Sequence, residues 1–156
     1  MNKTEILAAF LAEFNLQISR AQKASKDASD YATNEESRAE SKWDTQGIEA
    51  SYLAAGQAES ATKWVAVIRQ FKADYEELSQ PKVLIEAGSL FKLETEGTND
   101  WYLYWAMAGG LEIKSAGETV TLITHQSPLG KLINYKTAGA QIRLPSGSTS
   151  VIRSIA

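Results

Sequence analysis

Residues 4–32, TEILAAFLAEFNLQISRAQKASKDASDYA, decide the reading of the whole chain. Leu7, Leu11, Phe14, Ile18, Ala21, Ser25, Ala28 and Ala32 follow one another at alternating steps of four and three, the 3.5-residue period of a coiled-coil seam. The pattern returns downstream in Ala50, Ala54, Gln57, Ala61, Trp64, Ile68, Phe71, Tyr75 and Leu78. Two such stripes predict two helices facing each other.

Matching large residues with large across an antiparallel hairpin gives Leu7 with Leu78, Leu11 with Tyr75, Phe14 with Phe71, Ile18 with Ile68 and Ala21 with Trp64. The numbers in each pair add to 85 or 86, which puts the turn near Trp43 and Asp44. Arms of about 35 residues would each be roughly 50 Å long. Helix one is expected from about residue 3, where Asn2 and Glu5 form a capping-box pattern, to about residue 40. Asp44 or Thr45 can cap helix two, which should stop before Pro81. Gly56 inside that helix suggests close packing or a bend.

After Gln80-Pro81 short β-rich runs replace the helical period, so residues 1–80 and 81–156 read as two domains and the class as α+β. Strands are expected near 82–86, 89–95, 101–107, 111–114, 119–124, 140–144 and 149–155. Turns are expected at Thr98-Asn99-Asp100, Gly109-Gly110, Ala116-Gly117 and Ser146-Gly147. Ser127 followed by Pro128 opens one short helix over Leu129–Ile133.

Charge is uneven although the net is only −3. Between residues 27 and 49 seven acids (Asp27, Asp30, Glu35, Glu36, Glu40, Asp44, Glu49) face two bases, Arg38 and Lys42. The hairpin tip is therefore acidic, and a general nucleic-acid binder is disfavoured. No cysteine is present, which excludes a disulfide framework and thiolate metal sites. Without a long apolar run, the protein is expected to be soluble, cytoplasmic and free of the membrane, and the hairpin favours a monomer.

His125 is the single histidine, and no serine has a readable base partner, so intrinsic nucleophilic catalysis has no support. The glycines form no phosphate loop. In Trp101-Tyr102-Leu103-Tyr104-Trp105 the aromatic residues alternate between two faces, one of which must be core while the other is core or a docking patch. The tip carboxylates Glu40, Asp44 and Glu49 remain, with Trp43 beside them. They could share a hard divalent cation with a partner, or merely cap and charge the helix ends.

The run Ser127-Pro128-Leu129-Gly130-Lys131-Leu132-Ile133-Asn134-Tyr135-Lys136-Thr137-Ala138-Gly139 resembles the C-terminal signature of the Gre transcript-cleavage factors (GreA/GreB), and Tyr52-Leu53-Ala54-Ala55 resembles their Tyr-x-Ala-Ala after the coiled-coil tip. The resemblance implies an FKBP-like antiparallel β domain that docks on bacterial RNA polymerase, with Ser127, Pro128, Lys131, Lys136, Tyr102 and Tyr104 as candidate docking residues. It also implies a coiled coil that enters the secondary channel and meets the RNA 3′ end only inside that complex. There, tip carboxylates help hold a second Mg²⁺, so the polymerase, and not the factor, cuts backtracked RNA; no tightly bound cofactor is implied.

The chain departs from the family's Asp-x-x-Glu, because Thr45, Gln46 and Gly47 follow Asp44 and the next acid is Glu49. Asp44 transfers as a match and Glu49 only as a substitute. A regulator that occupies the channel without stimulating cleavage is therefore an alternative, as are an FKBP-like peptide-binding or prolyl-isomerase module and a dimeric coiled-coil adaptor.

Overall fold

The computed structural model describes residues 1–33 and 46–156. Helix α1 runs Lys3–Thr33 and helix α2 Gln46–Ser79. At the start of α1 the Asn2 side-chain oxygen accepts from the Thr4 N–H at 3.0 Å while its amide donates to Glu5 at 3.1 Å. This satisfies one of the N–H groups that a helix start leaves open. Every position of the two stripes within the described residues is buried or half-buried. The 3.5-residue period was therefore the right guide to which face packs.

The chain forms two compact units, Leu11–Gln70 and Met1–Phe10 with Phe71–Ala156. Residues 1–10 and 71–80, from the two ends of the helical stretch, fall in the same unit as the sheet.

Within the first unit α1 and α2 are antiparallel. Phe14 stacks on Trp64, with ring centroids 5.9 Å apart. Further along, the Ser25 hydroxyl donates to the Ala54 carbonyl at 2.9 Å. The segment expected to hold the turn, near Trp43 and Asp44, lies outside the described residues.

In the second unit six strands form one sheet among the described residues: β1 Leu90–Thr95, β2 Thr98–Tyr104, β3 Glu112–Ser115, β4 Glu118–Ile123, β5 Gln141–Arg143 and β6 Thr149–Ile155. Their spatial order is β3-β4-β2-β1-β6-β5. The sheet is mixed where the family resemblance implied an antiparallel one, because β4 pairs parallel to β2, Trp101 to Val120 through Tyr104 to Ile123. The excursion Trp105–Leu111 with the β3–β4 hairpin brings β4 back beside β2 in the same direction.

The first hairpin turns at Glu96-Gly97, with φ of 50° and 84°, not at Thr98-Asn99-Asp100, which lies in β2. Two consecutive positive φ values define the two-residue loop whose twist suits a hairpin, and Glu-Gly supplies them less visibly than Asn-Gly. Ala116-Gly117 makes the same turn, as expected. The segment expected as a strand at 82–86 has only an isolated bridge, Leu84 to Thr137.

Both faces of the sheet are covered. On one, Phe91, Leu93, Tyr104, Ile123, Ile142 and Ile152 pack with Ile133 of the short helix α3, Pro128–Ile133. On the other, Trp105 meets Phe71 edge-on at 4.9 Å and its indole N–H donates to Asp74 at 2.9 Å. A buried indole needs such an acceptor, and the last turns of α2 provide it. Gly88 (φ 89°) lets the chain pass Leu78, whose Cα would lie 2.8 Å from an added Cβ.

Candidate functional site

The chemistry-bearing residues of the second unit collect around α3. Ser127 caps it: the hydroxyl accepts from the Gly130 N–H at 2.9 Å and donates to the Thr124 carbonyl at 2.8 Å. Pro128 occupies the first helical position, where a missing N–H leaves nothing unsatisfied. Gly130 is fixed by space, since a Cβ there would lie 1.9 Å from the Thr124 carbonyl oxygen. One helical turn is thus locked against the end of β4, and the Ser-Pro-x-Gly spacing has a local mechanical cause.

Beside this turn lies an open apolar pocket of about 560 Å³. Ile123, Leu129 and Leu144 supply greasy walls, Pro128 and Pro145 two rigid ones, and Gly109-Gly110 part of the lining. Ser127 and Pro128, expected at a docking surface, both line it. Gly109, Gly110, Leu144 and Pro145 were missed as lining residues, because in the sequence they read as turn punctuation and a strand end.

Lys131, in the last turn of α3, and Lys136, beyond its end, are exposed. Tyr104, by contrast, is only 4% exposed, and its hydroxyl donates to Asn134 at 3.3 Å. It is core, which corrects its place among the docking candidates. Tyr102 is half-buried and stacks on Phe91 at 5.4 Å. Burial raises the pKa of both phenols, so they stay neutral hydrogen-bonding groups. The paired strands β1 and β2 bring Phe91 opposite Tyr102, a register not readable from alternation alone.

In the other unit Glu49 stands in the first turn of α2, exposed, and borders a shallow cleft of about 370 Å³ with Ala28, Tyr31, Ala50 and Leu53. A carboxylate there favours the positive helix N-terminus. Glu40, Trp43 and Asp44 lie outside the described residues. Of the two carboxylates proposed for Mg²⁺ only Glu49 is described, and one exposed carboxylate does not by itself make a magnesium site. Among the described residues no three His, Asp or Glu side chains gather as a metal-binding group. His125 is exposed. Gly56 has nothing within 4 Å of an added Cβ, so close packing is not its reason. No described helix is long and apolar enough to cross a membrane.

No family model matches the chain, and no curated protein matches it in sequence. Among solved structures it is similar to GreA factor homolog 1 (Gfh1) of Thermus thermophilus, at 18% identity and a TM-score of 0.37, with 97% of this chain and 93% of that one covered. Gfh1 of Thermus aquaticus is similar at 18% identity and a TM-score of 0.36, covering 99% and 94%. Likeness this slight carries no weight for activity, which has to be argued from this chain's own residues.

Proposed function

We propose that the chain is a Gre-like transcription factor that binds bacterial RNA polymerase, docking through the β unit and bringing the acid-rich segment 40–49 to the polymerase active site. The observation that carries this reading is the Ser127–Gly130 turn. The residues that resemble the Gre signature are those that cap and lock a helix beside an apolar pocket, so the signature has a structural job here. The antiparallel helix pair, with Glu49 in the first turn of α2, supports the other half.

In this mechanism the chain is an accessory and the polymerase performs any cleavage. Asp44 and Glu49 would offer carboxylate oxygens to a Mg²⁺ shared with the polymerase. When bound, such an ion supplies an activated water for in-line attack on the RNA phosphodiester. The five-residue spacing of these acids in place of the family's three favours weak cleavage or simple channel occupancy. Transcript shortening in backtracked complexes tests this with wild type, Asp44→Asn and Glu49→Gln. Mg²⁺-dependent shortening lost in Asp44→Asn, with binding intact, supports cleavage. Polymerase binding without shortening supports a non-cleaving regulator, and no binding at micromolar protein contradicts both.

The pocket beside α3 favours a second reading, an FKBP-like module that binds or isomerises prolyl peptides, because its walls are apolar. Turnover of a proline tetrapeptide, lost in Leu144→Asp, would support it.

A further inference from the structure

Tyr135 follows Asn134, the C-cap of α3, at the position where helices commonly end on a glycine in the left-handed region. Its φ is 58°, a conformation that strains a bulky L-residue. The backbone is pinned there: the Tyr135 N–H donates to the Ile85 carbonyl at 2.8 Å, and the next N–H, of Lys136, donates to Ile133 at 2.9 Å. Glycine would make both bonds without strain. The ring does not compensate by packing, since Tyr135 is 69% exposed. A strained residue whose side chain is mostly exposed gains little packing from being tyrosine, and residues of this kind collect where a protein binds something.

Its surroundings say what would bind. Leu132, one turn earlier, is 36% exposed, and Lys131 and Lys136 are exposed as well. Neither lysine is within ion-pair distance of a carboxylate among the described residues; Glu86, the acid nearest in sequence on the segment paired with this end of α3, is held by Lys82 at 3.0 Å. An exposed aromatic ring and a partly exposed leucine, on a short stretch that also carries two exposed lysines, suit an acidic surface with an apolar residue at its centre. Tyrosine is among the residues that dominate such interfaces, and it loses little conformational freedom on binding.

We infer that the C-terminal end of α3 is a protein-docking surface in which Tyr135 is the anchor and Lys131 and Lys136 select an acidic segment of the partner. The inference rests on the reading of the β unit as the part that docks on RNA polymerase, and it adds the residue that sets affinity.

The test is a titration of wild type and Tyr135→Gly with core RNA polymerase, together with urea unfolding of each variant alone. Glycine relieves the left-handed strain, so Tyr135→Gly is expected to unfold at an equal or higher urea midpoint while binding at least tenfold more weakly. The double variant Lys131→Gln/Lys136→Gln is expected to show a shallower salt dependence of binding than wild type. Equal affinities of wild type and Tyr135→Gly overturn the inference and leave the proposed function standing. A lowered urea midpoint in Tyr135→Gly also overturns it, by making the ring structural. Failure of wild type itself to bind refutes the proposed function instead.

Discussion

Replacing Gly130 with alanine tests whether the Ser127–Gly130 turn is as tightly determined as its geometry states. The added Cβ would lie 1.9 Å from the Thr124 carbonyl oxygen, 2.9 Å from the Thr124 carbonyl carbon and 2.9 Å from Ser127 Oγ. A carbon and a carbonyl oxygen in contact usually stay about 3.3 Å apart, so the overlap is about 1.4 Å. Two of the three opposing atoms are backbone, so no rotamer change relieves the clash. Overpacking of this kind costs roughly 1–3 kcal/mol, and the size of the overlap points to the upper end. Moving α3 away also strains the Ser127 cap, worth about 1 kcal/mol. Alanine's better helix propensity returns at most about 1 kcal/mol. The net expectation is a loss of about 2–3 kcal/mol, read as a lower urea midpoint at unchanged slope. Gly56→Ala is the control, because nothing lies within 4 Å of its Cβ in the middle of α2; it should gain up to about 1 kcal/mol. A Gly130→Ala protein within about 0.5 kcal/mol of wild type would refute the steric reasoning, since surface changes of no consequence fall in that range.

Further outcomes follow from the helix pairing and from the charges. The chain has no cysteine of its own, so Ser25→Cys with Ala54→Cys should oxidise to an intramolecular disulfide; a pair that stays reduced under oxidising conditions would contradict the antiparallel contact of α1 with α2. Lys3, whose ammonium donates to the Gln80 and Ala156 oxygens, has its pKa lowered from 10.5 to about 8, first by burial and then by Lys82. Between about pH 8 and 10.5 the unfolded chain holds a proton that the folded chain has released, so this lysine makes stability rise with pH across that window. The urea midpoint of wild type relative to Lys3→Met should increase from pH 8 to pH 10, and a flat or falling difference would contradict the assignment. The Glu94 carboxylate is held below its usual range mainly by its hydrogen bond to Arg153, at 2.7 Å. That pairing is present above the ordinary carboxylate pKa and lost as pH falls through the lowered one, so Arg153→Gln should bring the Glu94 titration, followed by NMR, back up.

The helical stripes, the capped starts of α1 and α3 and most strands were legible because each depends on neighbours in sequence. Asn2 and Ser127 announce their helices by the acceptors they carry, and the 3.5-residue period names the buried face without knowledge of the partner. What was misread depends on contacts between distant segments. The stacking of Phe14 on Trp64 joins residues fifty apart in the chain, and the period of either stripe does not name its partner. The parallel pairing of β2 with β4 is a choice of neighbour that strand sequences do not encode. Tyr104 looked free to face outward because alternation gives two faces without saying that both are covered. Around the candidate site, Ser127 and Pro128 were visible as a motif, whereas the left-handed backbone of Tyr135 is set by the Ile85 carbonyl fifty residues earlier in the chain.

The proposal that the acid-rich segment reaches the catalytic centre of RNA polymerase can be tested at one atom. A single cysteine at position 44, unique in a chain that has none, can carry an iron chelate that cuts nearby polypeptide and RNA when hydroxyl radicals are generated. In complexes with core polymerase the account predicts cuts beside the polymerase's catalytic magnesium and at the RNA 3′ end. Cuts confined to the outer surface of the polymerase, or none above the level of free chelate, would contradict it.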